Sequence, residues 1–285
     1  MTITINTNLS SLIVQKNLSS ATTSLNNAIE RMSTGYKINH AKDNAAGYSI
    51  AANWKTMLGS LDVASENASM GADMLKTAEE NYSLITEHLQ RVRDLTEQAA
   101  NGTYGEDSLK AIRSEMYARL YEINRIAKNS EFNGIKLMDG TVNADIKLQV
   151  GLKSDDDSVI TLSQDLFADA TASGLLQAKA GAFKTFVEAA SATTTAAGKL
   201  TEIDDAIKKI SERVTNIGAA QNRVDSAISS ISVQSENLTS SLSTLRDADV
   251  AEESSSYIKA QILQQASATL LATANQTPSI ALNLI

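Results

Sequence analysis

LTEIDDAIKKISERVTNIGAAQNRVDSAISSISVQSENLTSSLSTL, residues 200–245, decides the fold. Steps of three and four in alternation meet Leu200, Ile203, Ile207, Ile210, Val214, Ile217, Gln221, Val224, Ile228, Ile231, Ser235, Leu238, Leu242 and Leu245; twelve of these fourteen positions are apolar. That alternation is the heptad seam of a helix packed lengthwise against other helices, and no proline interrupts it. At about 1.5 Å per residue the helix is roughly 70 Å long. Most helical stability in water comes from packing an apolar stripe, so a rod of this length requires long partners.

The first partner runs from Asp43 to Ala100. Its seam is Ile50, Trp54, Met57, Leu61, Ala64, Ala68, Gly71, Leu75, Ala78, Tyr82, Ile85, Leu89, Val92, Thr96 and Ala99. The small residues in its middle are expected to admit another helix at close range. Asn101-Gly102 through Gly105 ends this rod, and a returning helix from Glu106 to about Asn129 carries Leu109, Ile112, Met116, Leu120, Ile123 and Ala127 on one face. A helix, a short loop and a returning helix make an antiparallel pair.

Between Phe132 and Val150 the period changes to two. Ile135 and Leu137 alternate before Asp139-Gly140, and Ile146, Leu148 and Val150 alternate after it, which predicts a hairpin between the two runs. Residues 153–198, with Asp155-Asp156-Asp157 and an Ala/Ser/Thr-rich tract, are the least patterned and are expected to be a short exposed connection.

Both ends carry thin amphipathic stripes. Ile5, Leu9, Leu12, Leu18, Leu25, Ile29 and Met32 precede a break around Gly35–Asn39; Ile258, Ile262, Leu263, Ala266, Leu270 and Leu271 form a last helix expected to end near Pro278. The fold class is therefore mainly α: a long antiparallel α-helical coiled-coil rod with a small β-hairpin region, its N- and C-terminal helices paired at one end. The expected divisions are 1–42 and 246–285 for the terminal helices, 43–152 and 199–245 for the rod, and 153–198 for the exposed stretch. Side by side, two such helices bury little and are expected to order only when identical copies surround them.

Composition narrows the function. The net charge of −8 has no basic block, which argues against nucleic acid, since duplex binding needs a clustered positive face. There is no cysteine, so neither disulfides nor thiolate chemistry are available. The first residues lack a basic stretch followed by an apolar core, and no run of about 18 apolar residues suggests a membrane span, so these signs alone suggest a cytosolic chain. His40 and His88 are the only histidines; without an HExxH helix or a further ligand cluster, no metal or cofactor is expected, nor any enzymatic site. Asp155–Asp157 lacks the alternating pattern of a calcium loop and is expected to be solvated.

Several stretches carry a family resemblance: residues 5–12 (INTNLSSL), 28–35 (AIERMSTG), 38–47 (INHAKDNAAG), 90–95 (QRVRDL), 131–135 (EFNGI), 245–250 (LRDADV), 259–266 (KAQILQQA) and 282–285 (LNLI). The chain resembles bacterial flagellin, the subunit of the flagellar filament, over about residues 1–150 and 199–285, in a short form without the large variable outer domains. The resemblance implies a non-enzymatic, self-assembling extracellular subunit of a hollow filament that serves motility, with Leu9, Leu12, Leu18, Leu25, Ile29, Ile258, Ile262, Leu263, Leu270 and Leu271 at the filament core. Trp54, Leu61, Leu75, Ile85, Leu89, Ile203, Ile210, Ile217, Ile228 and Leu238 would form the rod seam.

It also implies type III export without a cleaved signal peptide. The expected partners are other copies of the chain, an export chaperone, a filament cap protein, a hook-filament junction protein and a Toll-like receptor of animal hosts; no nucleic acid and no membrane are expected. Arg91, Leu95 and Glu115 fall on the receptor-recognition pattern, with Arg91 and Leu95 one turn apart and expected on one face. Leu282, Leu284 and Ile285 match the inflammasome-sensor epitope. The alternative readings are a hook-filament junction protein of the same architecture and a soluble host-receptor agonist or adhesin.

Overall fold

The computed structural model describes residues 7–153, 155–176, 183–192 and 195–282, without the side chains of residues 183 and 277–282. In chain order the elements are α1 (Leu9–Thr34), α2 (Ala45–Ala100), α3 (Glu106–Asn129), β1 (Glu131–Phe132), β2 (Ile135–Lys136), β3 (Ile146–Gln149), β4 (Val159–Leu162), α4 (Ala172–Leu175), α5 (Phe183–Ala190), α6 (Ala196–Arg246) and α7 (Val250–Leu282). They divide into two compact units, residues 1–58 with 236–285 and residues 59–235, so the boundaries fall inside α2 and α6 rather than at their ends.

In the unit of residues 59–235, α2, α3 and α6 pack around one core. Antiparallel pairing of α2 with α6 is fixed by Arg93 Nε donating to Asp204 at 2.7 Å and Gln221 Nε2 donating to Glu79 at 2.8 Å. Pairing of α2 with α3 is marked by Arg91 and Glu115, 2.7 Å apart. The α2 seam is buried from Leu61 through Leu75, Tyr82, Ile85 and Leu89 to Ala99. On α6, Ile203, Ile210, Ile217, Val224 and Ile231 are buried, while the intervening Ile207, Val214 and Ile228 are half-buried. Alternate seam positions thus point to the partner and to its flank, as heptad packing requires.

The β region departs from the sequence expectation. The run Ile135–Leu137 does not pair with Ile146–Val150. Instead β1 pairs with β2 across Asn133-Gly134, and β3 pairs antiparallel with β4, Ile146 opposite Leu162 and Gln149 opposite Val159. Asn133 and Gly134 both have positive φ, 47° and 82°. That is the two-residue primed turn Asn-Gly prefers, because its twist matches the flanking strands. Asp139 instead closes a local turn, its Oδ1 accepting from the Thr141 backbone and hydroxyl.

The expectation that residues 153–198 form an exposed connection fails as well. Ile160, Leu162, Leu166, Phe167, Leu175, Leu176, Phe186 and Val187 are buried in the core. Tyr82 fastens this stretch, its buried hydroxyl donating to the Leu166 carbonyl at 2.9 Å. Beside it, Arg213 donates to the carbonyls of Ala168 and Asp169 while its guanidinium lies 5.9 Å from the Tyr82 ring. One small residue of α2 has a different use from the one expected: a Cβ built on Gly71 would sit 2.3 Å from Leu148 Cδ1, so this notch receives β3, whereas Ala78 lies beside the Glu79–Gln221 bond to α6.

In the unit of residues 1–58 and 236–285, α1 and α7 run antiparallel. Asn8 caps α1, its Oδ1 accepting from Ser11 N, and Gly35 ends it in the left-handed conformation at φ 76°. The pair is tied at one end by Asn8 Nδ2 donating to the Ala274 carbonyl and at the other by Arg31 with Glu253 at 3.0 Å. Contrary to expectation, α7 continues past Pro278 to Leu282. Proline lacks the N–H that would bond the carbonyl four residues back, Ala274, and it is this carbonyl that Asn8 takes.

The segments joining the helices are themselves paired. Tyr36 and Asp247 form an isolated antiparallel bridge, Lys37 N donates to Arg246 O, and Ala248 N donates to Gly35 O. The Arg246 guanidinium lies 4.1 Å from the Tyr36 ring.

Candidate assembly surface

The seam between α1 and α7 is made mainly of small and half-buried residues. Ala21, Ala28, Ala260 and Ser267 are buried, with Val14, Leu18, Leu25, Tyr257, Gln264 and Leu271 half-buried around them. Small side chains bring the two backbones close and leave little room for large ones. The large aliphatics point elsewhere. Leu12 precedes Ala21 by nine residues, about two and a half turns, and so lies on the opposite side of α1; Ile262 bears a similar relation to Ala260 on α7.

Leu9 is 67% exposed, Leu12 57%, Ile258 53%, Ile262 59% and Leu270 57%. Ile29 and Leu263 are also exposed. The ten expected core residues thus divide in two: Leu18, Leu25 and Leu271 serve the pairing of α1 with α7, and the other seven face outward. Ile258, Ile262 and Leu263 line a shallow groove with Ser255 and Lys259. On α1 the exposed aliphatics sit at the two ends, with Gln15, Lys16, Ser19, Ser20, Thr23 and Ser24 between them, while on α7 they run from Ile258 to Leu270. Exposed apolar clusters of this kind mark interaction surfaces.

Of the expected rod-seam residues within 59–235, Leu61, Leu75, Ile85, Leu89, Ile203, Ile210 and Ile217 are buried and Ile228 is half-buried. Trp54 and Leu238, in the other unit, are half-buried, while Ile50 and Met57 are 42% and 41% exposed.

Of the three residues on the receptor pattern, two come together. Arg91 Nε and Nη2 donate to the two oxygens of Glu115 at 2.7 and 3.1 Å, a bidentate pair on the α2–α3 surface. The bond from Arg91 holds the Glu115 carboxyl below the usual carboxylate range and raises the guanidinium in return. Leu95 does not share that face: it is 2% exposed. With α3 on one side and α6 on the other, α2 buries a stripe wide enough to take in Val92, Leu95, Thr96 and Ala99 together. Leu284 and Ile285, and the side chain of Leu282, lie outside the described residues.

The missed residues are Asn8, Tyr36 and Arg246, which tie the terminal helices and their linkers. The signal for Asn8 is its place immediately before Leu9, where a side-chain cap belongs, but Ile5 extends the apolar stripe past it and masks the boundary. His40 contacts Glu30 at 2.8 Å, and His88 lies 3.4 Å from Arg119 Nη1. Among the described residues no three His, Cys, Asp or Glu side chains converge, and no helix is long and apolar enough to cross a membrane.

Two family models match the chain: the bacterial flagellin N-terminal helical region over residues 5–143 and the bacterial flagellin C-terminal helical region over residues 200–285. The flagellin of Bacillus subtilis is 33% identical over 302 aligned residues, covering 99% of this chain and 99% of that one. The flagellin of Halalkalibacterium halodurans is 34% identical over 282 residues, again covering 99% of each. A solved structure of a flagellar hook-associated protein from Vibrio parahaemolyticus covers 72% of this chain and 100% of that one at TM-score 0.60 and 15% identity, a likeness of fold alone. The match to relatives along their whole length marks a short form without a large outer domain, and the chain belongs to the bacterial flagellin family, a structural subunit of the flagellar filament and not an enzyme.

Proposed function

We propose that the outward faces of α1 and α7 build the filament core, and that these helices become stably ordered only as neighbouring copies cover them. The exposure of Leu9, Leu12, Ile258, Ile262 and Leu270 on helices already paired through small residues carries this reading. The α1–α7 seam alone offers little apolar burial to offset the entropy of ordering two helices of 26 and 33 residues. Covering the outer faces with copies of the same chain supplies the rest, so folding of the ends and polymerisation are one event. The rod of residues 59–235 has its own core and folds beforehand.

This division of labour also fits export of a largely unfolded chain through the flagellar type III apparatus. A chaperone would cover the apolar face of α7 before export, a cap protein would hold the emerging ends at the tip, and a junction protein would present the first matching helices. The Arg91–Glu115 pair is the candidate point of contact for a Toll-like receptor, with Leu95 acting beneath it as a core residue, and Leu282, Leu284 and Ile285 remain the candidate inflammasome-sensor epitope.

Deletion of residues 1–32 or of 250–285 tests the core of the proposal. Circular dichroism of either truncation retains the rod's helical signal, and neither polymerises onto filament seeds in electron microscopy. Normal filaments from either truncation would overturn it.

A further inference from the structure

The chain has two Asn-Gly pairs, and the structure treats them differently. Asn133-Gly134 is the turn of the β1–β2 hairpin, held between the rungs Phe132–Ile135 and Glu131–Lys136. Asn101-Gly102 lies just beyond the end of α2, with Asn101, Gly102, Thr103, Tyr104 and Gly105 all exposed. Space at Gly102 is open: a Cβ there would meet nothing within 4 Å, and its φ is not in the left-handed region. The Asn101 side chain is also oriented, because its Oδ1 accepts from Thr103 N at 3.2 Å.

We infer that Asn101 is a site of spontaneous backbone modification, converting to aspartate and isoaspartate through a cyclic imide. Solvent base removes the Gly102 amide proton, and the nitrogen attacks Asn101 Cγ, forming a C–N bond. Negative charge develops on Oδ1 in the tetrahedral intermediate, where the Thr103 N–H already donates, so the donor stabilises the species on the reaction path. Collapse expels Nδ2, which leaves as ammonia after taking a proton from water, and closes the five-membered ring. Water then adds to one of the two ring carbonyls and opens it. The sum is one water consumed and one ammonia released, with no change of oxidation state.

Asn133 carries the same atoms under a different constraint. Its peptide sits inside a tight turn with both neighbours in β rungs, and moving Gly134 N onto the side-chain carbon requires breaking the hairpin. Reactivity is therefore set by the fold and not by the dipeptide. The product has a mechanical consequence: a carboxylate at 101 stands at the negative end of the α2 dipole, after Glu97, and the isoaspartate form lengthens the chain between α2 and α3. Conversion also removes the carboxamide nitrogen that a glycan would need at Asn101-Gly-Thr103.

Full-length chain is incubated at mildly alkaline pH and digested with trypsin, and the peptides of residues 94–110 and 129–136 are followed by mass spectrometry with fragmentation that distinguishes isoaspartate. The expected result is amide-to-acid conversion at 101, with isoaspartate present, well ahead of conversion at 133. In Gly102→Ala, whose added methyl meets open space, the rate at 101 falls severalfold with an unchanged melting curve. Conversion at 133 as fast as at 101, an unchanged rate in Gly102→Ala, or an unconverted Asn101 carrying a sugar would each overturn the assignment.

Discussion

Asn8 and Ala274 are joined by a hydrogen bond of 2.7 Å from the Asn8 carboxamide to the Ala274 carbonyl. The same side chain accepts from Ser11 N, so one residue caps α1 and supplies the donor that Pro278 denies to α7. Asn8→Ala removes both bonds and is expected to weaken the helix pair by roughly 1–3 kcal/mol, the sum of a lost cap and an orphaned carbonyl. Asn8→Asp keeps the cap oxygen but loses the donor, and is expected to fall between the two. Filament disassembly temperature, followed by light scattering, ranks the three; equal values for all would show that the bond contributes nothing to assembly.

Gly71 is a second point where a small residue answers a large one. Replacing a mid-helix glycine by alanine ordinarily stabilises by about 1 kcal/mol. Here the new methyl meets Leu148 at 2.3 Å, so Gly71→Ala is expected to destabilise by about 1–3 kcal/mol as β3 is pushed off α2. Adding Leu148→Ala relieves the clash, so the two changes together cost less than the sum of their separate effects. Urea unfolding of the four combinations measures the coupling, and strict additivity would contradict the notch.

Leu95 and the Arg91–Glu115 pair separate packing from charge. Leu95→Ala is expected to cost about 2–5 kcal/mol, because its side chain is fully within the core. Glu115→Gln is expected to change stability little at neutral pH, since the pair is well exposed and screened by salt. Its signature lies in acid. The Glu115 carboxyl is held below its ordinary range by Arg91, so the pair's contribution is present above that range and lost as pH falls through the lowered value. Urea midpoints between neutral pH and about pH 3 should converge for wild type and Glu115→Gln. A gap that widens in acid would reverse the sign of this argument.

The long helices were legible because their stripes are apolar and their ends punctuated. Glu106–Asn129 is delimited by a glycine loop and a change of period, and the end of α1 by Gly35. The partner of β3 was not legible: Val159–Leu162 is a four-residue run with three apolar residues among aspartates and serines, too short for periodicity to assign. The Asn133-Gly134 turn signal is present but masked by the longer alternation around Asp139-Gly140. The terminal faces were blended for a different reason. Ala21, Ala28, Ala260 and Ser267 define the intrachain seam without looking like one, so the large aliphatics of two separate faces read as a single stripe. Spacing puts Leu95 one turn from Arg91 but does not reveal how many neighbours a helix has, and two neighbours bury it.

The most direct test is seeded polymerisation of the double variant Leu12→Gln and Ile262→Gln, whose changes lie on the outward faces and spare the α1–α7 seam. Monomer helicity and the rod's urea midpoint are expected to match wild type, with no elongation of seeds in electron microscopy. Filaments growing at the wild-type rate from this variant would contradict the claim that these faces hold the polymer together.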